Sequence, residues 1–326
     1  MRQARPDQAA PEWQIWLGLL IVYIVWGSTY LAIRVVVGTM PPLLSAGVRF
    51  VIAAAILFAY VALRHGISSL KLSRSEWLGV GFVGLALLLG GNGLVMLGER
   101  DVPSGLAALI VAVIPLYVVL LRFIFRERVA VATVLGVLIG FAGVAVLIVP
   151  RGIDGSVAIG GMLLLLLAPL SWSIGTYFSK RVDLPGDYLV STGAQMLVGG
   201  AALLVVGLLV GEAGLVKPET FSMDSLLALA YLIVFGSVIA YTAYTWLLQH
   251  APVSRVATYA FVNPVVAIIL GTVLLNEEIN ATMIIGAAMI VVAVAIVVRT
   301  ESQTPKPDAE EEAATTPAAA EAGSPG

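Results

Sequence analysis

Apolar residues run in long unbroken blocks along this chain, separated by short polar stretches. Within a block they do not alternate as the strands of a membrane barrel do. Met162–Ala168 reads MLLLLLA, and Ile284–Val298 is equally unrelieved. Blocks of about 18 or more apolar residues are long enough to cross a bilayer as a helix. Ten are read, at 13–33, 43–63, 76–97, 103–123, 129–149, 158–178, 188–210, 225–248, 253–274 and 280–298. The expected fold is therefore an all-α membrane protein of ten transmembrane helices joined by short connections.

Composition agrees. The chain is 60% hydrophobic and 12% charged, against roughly 25% charged in a soluble domain, so a polar surface could not be covered. The first block lacks a small-residue cleavage site and is followed by further spans, so it is read as a retained helix. Residues 1–12 are expected to form a cytoplasmic tail. From Thr300 onward the chain is rich in Pro, Ala and Glu, with six acids and one Lys, and the tail 299–326 is expected to be disordered. There is no Cys, and His65 and His250 are the only histidines, so no metal or cofactor site is expected.

Lys and Arg placement orients the spans. With a cytoplasmic N-terminus, 13 basic residues fall inside and 4 outside (Arg34, Arg100, Arg151, Lys217), with Arg49 inside a span. That bias predicts both termini in the cytoplasm.

The two halves repeat. A shift of 146 residues lays Trp26 on Trp172, Arg34 on Lys180 and Arg49 on Gln195. Shifts of 149 and 150 lay Pro115 on Pro264 and Glu127 on Glu277. Five spans per copy is an odd number, so the second copy must enter the membrane inverted. The repeats are read as 13–149 and 158–298, joined by the loop 150–157. Two inverted five-helix repeats are the architecture of alternating-access carriers.

The stretches WGSTYLAIR in span 1 and VPSGLAALIVAVIPLYVVLL running into FRER in spans 4 and 5 carry a resemblance. So does APVSRVATYAFVNPVVAIILGTVLLNEE in the second half. They resemble the EamA-type carriers of the drug/metabolite transporter superfamily. The phrase GNGLVMLGERDVPSGLAALI is especially similar to a YedA-like branch. The resemblance covers about residues 13–298. It implies ten helices in two inverted repeats around a central cavity, and a bacterial inner membrane, often with export.

Several residues are candidates for a site in such a cavity. Pro115 and Pro264 lie near the middle of spans 4 and 9 and free the carbonyls of Val111 and Ala260. A break at that depth is tolerated where neighbours or a wet cavity satisfy it. Span 1 carries Tyr23, Trp26, Gly27, Tyr30 and Arg34 on one face. Span 6 repeats part of that face with Trp172, Thr176 and Lys180. Span 9 carries Arg255, Tyr259 and Asn263, span 8 Ser237, Tyr241, Tyr244 and Thr245, and span 3 Asn92. Such stripes turn from lipid toward the bundle, although Trp and Tyr near span ends can also be interfacial anchors. Trp26, Tyr30, Arg49, Asn92, Trp172, Thr176, Tyr241, Tyr244, Tyr259 and Asn263 are the expected substrate-binding set. As repeat mates, Trp26 and Trp172 are expected on opposite walls. Arg49 lies about seven residues into span 2, either snorkelling to the interface, hydrogen-bonding helix carbonyls as its neutral repeat mate Gln195 could, or meeting an anion or carboxylate.

Other features have plainer readings. Glu127 and Glu277 or Glu278 are expected to complement the dipoles of the helices that they open, with Arg126 and Arg128 beside Glu127. Glu99 is read chiefly as an outer-loop residue with Arg100 and Asp101, and secondarily as a proton-coupling group. Gly79, Gly81 and Gly84 form a GxGxxG with nothing strand-like before it, so no dinucleotide site is implied. Gly136, Gly140 and Gly143 suit close helix packing. Leu165 is expected to face lipid.

No catalytic constellation is evident, and no enzyme activity is expected. The function expected is secondary transport of a small neutral or zwitterionic metabolite, an amino acid or drug-like solute, in the export direction. A channel or receptor-like scaffold is the alternative. The expected partners are the solute and the lipid bilayer, with no nucleic acid, and the chain is a monomer or homodimer.

Overall fold

Local signals set the helix ends. Pro42 opens a helix where its fixed φ and missing N–H cost nothing. Ser73 and Glu76 form a reciprocal capping box, Ser73 Oγ accepting from Glu76 N at 3.2 Å and Glu76 Oε2 from Ser73 N at 2.7 Å. Asp187, Ser222 and Asn280 each accept from a first-turn backbone N–H of the helix that follows. A computed structural model describes residues 11–127, 129–154, 158–251, 256 and 259–303. Within them lie α1 Glu12–Thr39, α2 Pro42–His65, α3 Arg74–Gly98 and α4 Ser104–Ile124. They are followed by α5 Val131–Asp154, α6 Ile159–Ser179, α7 Tyr188–Leu209 and α8 Met223–His250, then α9 Tyr259–Leu275 and α10 Ala281–Gln303.

Seven of these helices are long and apolar enough to cross a membrane, and the other three contain shorter apolar stretches, Val131–Val146, Val262–Leu275 and Ala281–Ala293. The described residues contain no strand. The chain is an all-helical, multi-pass membrane protein.

Repeat mates pack on one another. α2 lies along α7, and α5 along α10. The α2–α7 contact is backbone to backbone. A Cβ at Gly47 would stand 2.9 Å from the Gly200 carbonyl oxygen, and one at Gly200 would stand 3.1 Å from that of Gly47. Gly143 meets the Gly286 carbonyl on α10 in the same manner, so the small face of α5 is spent inside the molecule. Gly79 and Gly84 let α3 lie against the backbone of Asp183 and Gln195, which gives the GxGxxG a packing role.

Several expectations need correction. α1 continues to Thr39, so Arg34 sits in a helix, partly buried, and not in an outer loop. Leu165 is fully buried against Gly98, whereas Leu163 and Leu167 on the same helix are exposed. α10 runs to Gln303, beyond the expected end at 298. α5 continues to Asp154, so residues 150–154 of the expected 150–157 loop are helical. Residues 155–157, the tail 1–10, Arg128, Arg255 and the expected tail beyond 303 lie outside the described residues.

The helices also depart from regularity in a consistent place. Val22–Trp26 in α1, Leu85–Gly93 in α3 and Leu232–Tyr241 in α8 are π-helical. α4 is interrupted at Ala112–Val113, just before Pro115, and α6 and α9 carry Pro169 and Pro264 inside them. All six irregularities flank the same interior space.

Candidate functional site

That space is a central cavity of about 70 Å³. Its lining includes Trp26, Tyr30, Arg49, Asn92, Trp172, Tyr241, Tyr259 and Asn263. Eight of the ten expected binding residues thus meet there. Tyr244 joins them through the aromatic rings, and Thr176 lies beside Tyr244. A cavity of about 150 Å³ is large enough to take up benzene. At less than half that volume the cavity is too small for a metabolite, and its walls must part to admit one.

The aromatic side chains form one cluster. Trp26 meets Trp172 at 5.7 Å, Tyr244 at 4.8 Å and Tyr259 at 5.5 Å between ring centroids. Tyr241 lies 6.2 Å from Trp26 and 6.3 Å from Trp172. The two tryptophans touch, where opposite walls were expected. The rings are fixed by hydrogen bonds to the irregular helices. Trp26 Nε1 donates to the Gly236 carbonyl in the π-helical part of α8 at 3.2 Å. The Asn263 amide, oriented by its hydrogen-bond network, donates to the carbonyls of Tyr23 and Tyr259. Tyr241 donates its hydroxyl to Gln195 Oε1 at 3.0 Å.

Arg49 does not snorkel. It is 3% exposed, with Nε donating to Ser237 Oγ at 2.8 Å and the guanidinium 4.7 Å from the Phe50 ring centroid. Its Nη1 is buried and has no hydrogen-bond partner among the described residues. The Trp172 indole N–H and the Thr176 hydroxyl are likewise buried, both beside Tyr244. An unsatisfied guanidinium beside a wall of rings can take a carboxylate together with an apolar or aromatic body.

The broken helices serve this wall unequally. Pro115 falls in the first turn of the second half of α4, and Val111, whose carbonyl it frees, lines the cavity. Pro169, overlooked in the sequence, also lines it, and Ser173 donates to the carbonyls of Pro169 and Ile114 at 2.6 and 3.0 Å. Its signal was available as a proline inside an apolar block. Among the described residues Asn92 donates to the Leu87 carbonyl, at 3.5 Å, within its own π-helical turn.

Carboxylates organise the two ends of the bundle. At one end Glu277 accepts from Ser104 N, Ser104 Oγ and Gly105 N at 2.8, 2.9 and 3.0 Å. It therefore caps α4, not the helix that it precedes. The chain folds back through Asn276, at φ 55°, and Gly271 leaves room, since a Cβ there would stand 2.4 Å from Glu277 Oε2. Glu212 caps α2 at the same end, accepting from Leu43 N and Leu44 N. At the opposite end Glu127 accepts from Arg122 Nε at 2.9 Å, Tyr177 Oη at 2.6 Å and Arg181 Nη2 at 2.6 Å. It joins α4 to α6 and does not cap α5. Burial pushes the Glu127 carboxyl up, but the bonds from Tyr177 and Arg122 and the charges of Arg122 and Arg181 outweigh it and hold it below its ordinary value. Among the described residues no group of three or more His, Asp or Glu could hold a metal ion.

This is the plan of a membrane transporter: two repeats, broken helices and an interior cavity. The EamA-like transporter family matches at residues 13–149 and 159–299, and the chain belongs to that family and to the drug/metabolite transporter superfamily. It is 36% identical over 281 residues to the inner membrane transporter YedA of Escherichia coli K12, covering 86% of this chain and 89% of that one. It is 27% identical over 297 residues to the transporter YvbV of Bacillus subtilis, covering 91% and 95%. A solved crystal structure 22% identical to it superposes with a TM-score of 0.62 over 91% of this chain and the whole of the other, a likeness of fold.

Proposed function

We propose that this transporter carries a small zwitterionic or neutral metabolite, with an apolar or aromatic body, outward across a bacterial inner membrane by alternating access. The observation that supports this most is the juxtaposition of the unpartnered Arg49 Nη1 and the Trp26–Trp172 ring cluster in one cavity. The guanidinium answers a carboxylate and the rings answer the rest of an amino-acid-like solute. In this reading all ten helices span, in two inverted repeats of residues 13–149 and 158–298, and both termini are cytoplasmic. The end of the bundle that holds Glu99, Glu212 and Glu277 then faces outward, and the Glu127 end faces the cytoplasm. The protein acts as a carrier without a cofactor and catalyses no reaction.

The test compares metabolites exported by cells with and without the protein, then measures flux of the affected solute in vesicles. Saturation and counter-exchange support a carrier, and linear, non-exchanging flux would point to a channel. A reporter fused after Thr300 should read cytoplasmic and one in the 211–224 loop external. The same side for both would sink the ten-span topology.

A further inference from the structure

Glu99 follows the last residue of α3, the segment Arg74–Gly98, and so belongs to a connection that ought to be wet. It is nonetheless 0% exposed. Both carboxyl oxygens are buried without a hydrogen-bond partner among the described residues. Val95, one helical turn before it, lines the cavity, and Glu99 N donates to the Val95 carbonyl at 2.9 Å. The carboxyl therefore stands one turn beyond the cavity wall, at the end that Glu277 and Glu212 cap.

The charged surroundings do not neutralise an anion there. From α1, Arg34 approaches, but its Nη1 donates to the backbone carbonyls of Glu99 and Arg100. Tyr30, one turn before Arg34, lines the cavity. From the α9–α10 connection comes Glu277, a second carboxylate, whose oxygens are occupied by the first turn of α4. The residues of α6 on the end of α3, Gly161 and Leu165, meet it at Gly98, and α2 meets α3 through Leu43 at Gly93. None of these can titrate. Arg100 and Asp101 follow on the same connection. A dry, unbonded carboxylate beside another carboxylate is costly, and the neutral acid is the form that such a site accepts. Burial pushes the Glu99 carboxyl well above the ordinary carboxylate range, the Glu277 charge adds to the rise, and Arg34 opposes it.

We propose that Glu99 is the proton-binding site of the transport cycle, and that this end of the cavity closes only when its carboxyl is protonated. The proposal rests on the reading of the chain as an alternating-access carrier and adds the ion to which its gate responds. The sign follows from the two states. In the closed state the acid is dry and holds its proton. In the open state it is wet and titrates as an ordinary glutamate. Closure is fully favoured below the open-state value and is lost as pH rises toward the closed-state value. One proton is taken up from the solution at this end for each closure and returned on opening.

The native chain has no cysteine, so single-cysteine reporters carry no background. Val95→Cys places a thiol on the cavity wall, and Gly214→Cys, where an added Cβ would meet nothing within 4 Å, gives an open reference at the same end. Membranes bearing the full chain are treated with an impermeant maleimide on the side where Gly214→Cys reacts. The rate at Val95→Cys relative to that reference should rise between about pH 6 and about pH 9, by at most about tenfold per pH unit for a single proton. Adding Glu99→Gln, which keeps the shape of the neutral acid, should make the ratio low and flat, and Glu99→Asp should keep a pH dependence.

A second readout needs no reporter. The infrared C=O band of a neutral carboxylic acid should be present in the parent at neutral pH and lost in Glu99→Gln. If Glu99→Gln retains the parental pH dependence, if the parent shows none, or if the band is unchanged by the substitution, the proposal is overturned. Solute counter-exchange at one fixed pH is measured alongside. Its survival when the labelling is flat rejects the proton site and spares the carrier, whereas its absence rejects the carrier itself.

Discussion

Trp26 and Trp172, equivalent positions of the two repeats, meet edge to face, with ring planes at 89° and centroids 5.7 Å apart. An edge-to-face pair contributes about 0.5–1.5 kcal/mol beyond its burial. It also closes the space in which a metabolite would sit. Each half of the molecule thus supplies one indole to a shared contact, and separating the halves must break it.

Replacing Trp172 by Ala removes that contact and one wall of the cavity. The half-saturating solute concentration should rise by about twofold to tenfold, the range of one aromatic contact. Leu163→Ala, at a side chain that is 53% exposed, should leave it within about twofold. Saturation curves in vesicles measure both. Equal effects would remove Trp172 from the binding site.

Arg49 gives a sharper discrimination. A charge-assisted hydrogen bond contributes roughly 1.5–3 kcal/mol, or about 10- to 150-fold in affinity. Arg49→Gln should lose that much for a carboxylated solute and little for its amide or ester, and Arg49→Lys should recover only part. Competition against flux distinguishes them, and an equal loss for acid and ester would give Arg49 a purely structural role.

The Glu277 cap should be a stability device with a conformational consequence. Glu277→Gln keeps the shape but loses the charge at the first turn of α4, at a cost of about 1 kcal/mol. Gly271→Ala should be at least as harmful, because its Cβ would displace the carboxylate. Thermal unfolding of the solubilised protein checks the order. A harmless Gly271→Ala would contradict the fold-back geometry.

The Glu127 cluster should fail in acid. Its carboxyl is held below its ordinary value, so its stabilisation is present above the unfolded value, about 4.3, and is lost as pH falls through the folded one. The stability difference between the parent and Glu127→Gln should therefore be constant near neutral pH and shrink in acid. A difference that grows on acidification would mean that the carboxyl is protonated in the folded protein.

The prolines separate packing from motion. Pro115 occupies a first-turn position that tolerates it, while Pro264 interrupts α9 and leaves the Ala260 carbonyl without its donor. Both Pro115→Ala and Pro264→Ala should keep near-normal membrane abundance, and Pro264→Ala should reduce flux more. Abundance by blot and flux in the same vesicles settle the comparison.

Periodicity and duplication made the helices legible, because a bilayer demands apolar length and an odd-numbered repeat has few ways to insert. The ring cluster was legible for a similar reason: Trp26, Trp172 and Tyr259 are too deep to be interfacial anchors. Contacts between distant segments were not. Glu277 has the composition of a cap for its own helix, and only the fold shows that it serves α4, 173 residues away. Leu165 and Leu163 are chemically identical, and the two-residue step that turns one inward and the other outward is invisible in an unbroken leucine run. Glu99 looked like a loop residue because sequence measures distance from a span and not depth beneath neighbouring chains.

The π-helical turns have a mechanical consequence. Each stores a residue beyond the α-helical count, and moving it along the helix re-registers only the segment that it passes. One residue of register is about 100° of rotation and about 1.5 Å of rise. Trp26 ends such a turn in α1, and Tyr241 ends another in α8. A one-residue shift of either turn would carry the ring at its end through that rotation, whereas Gly47 and Gly200 lie on α2 and α7, which carry no such turn.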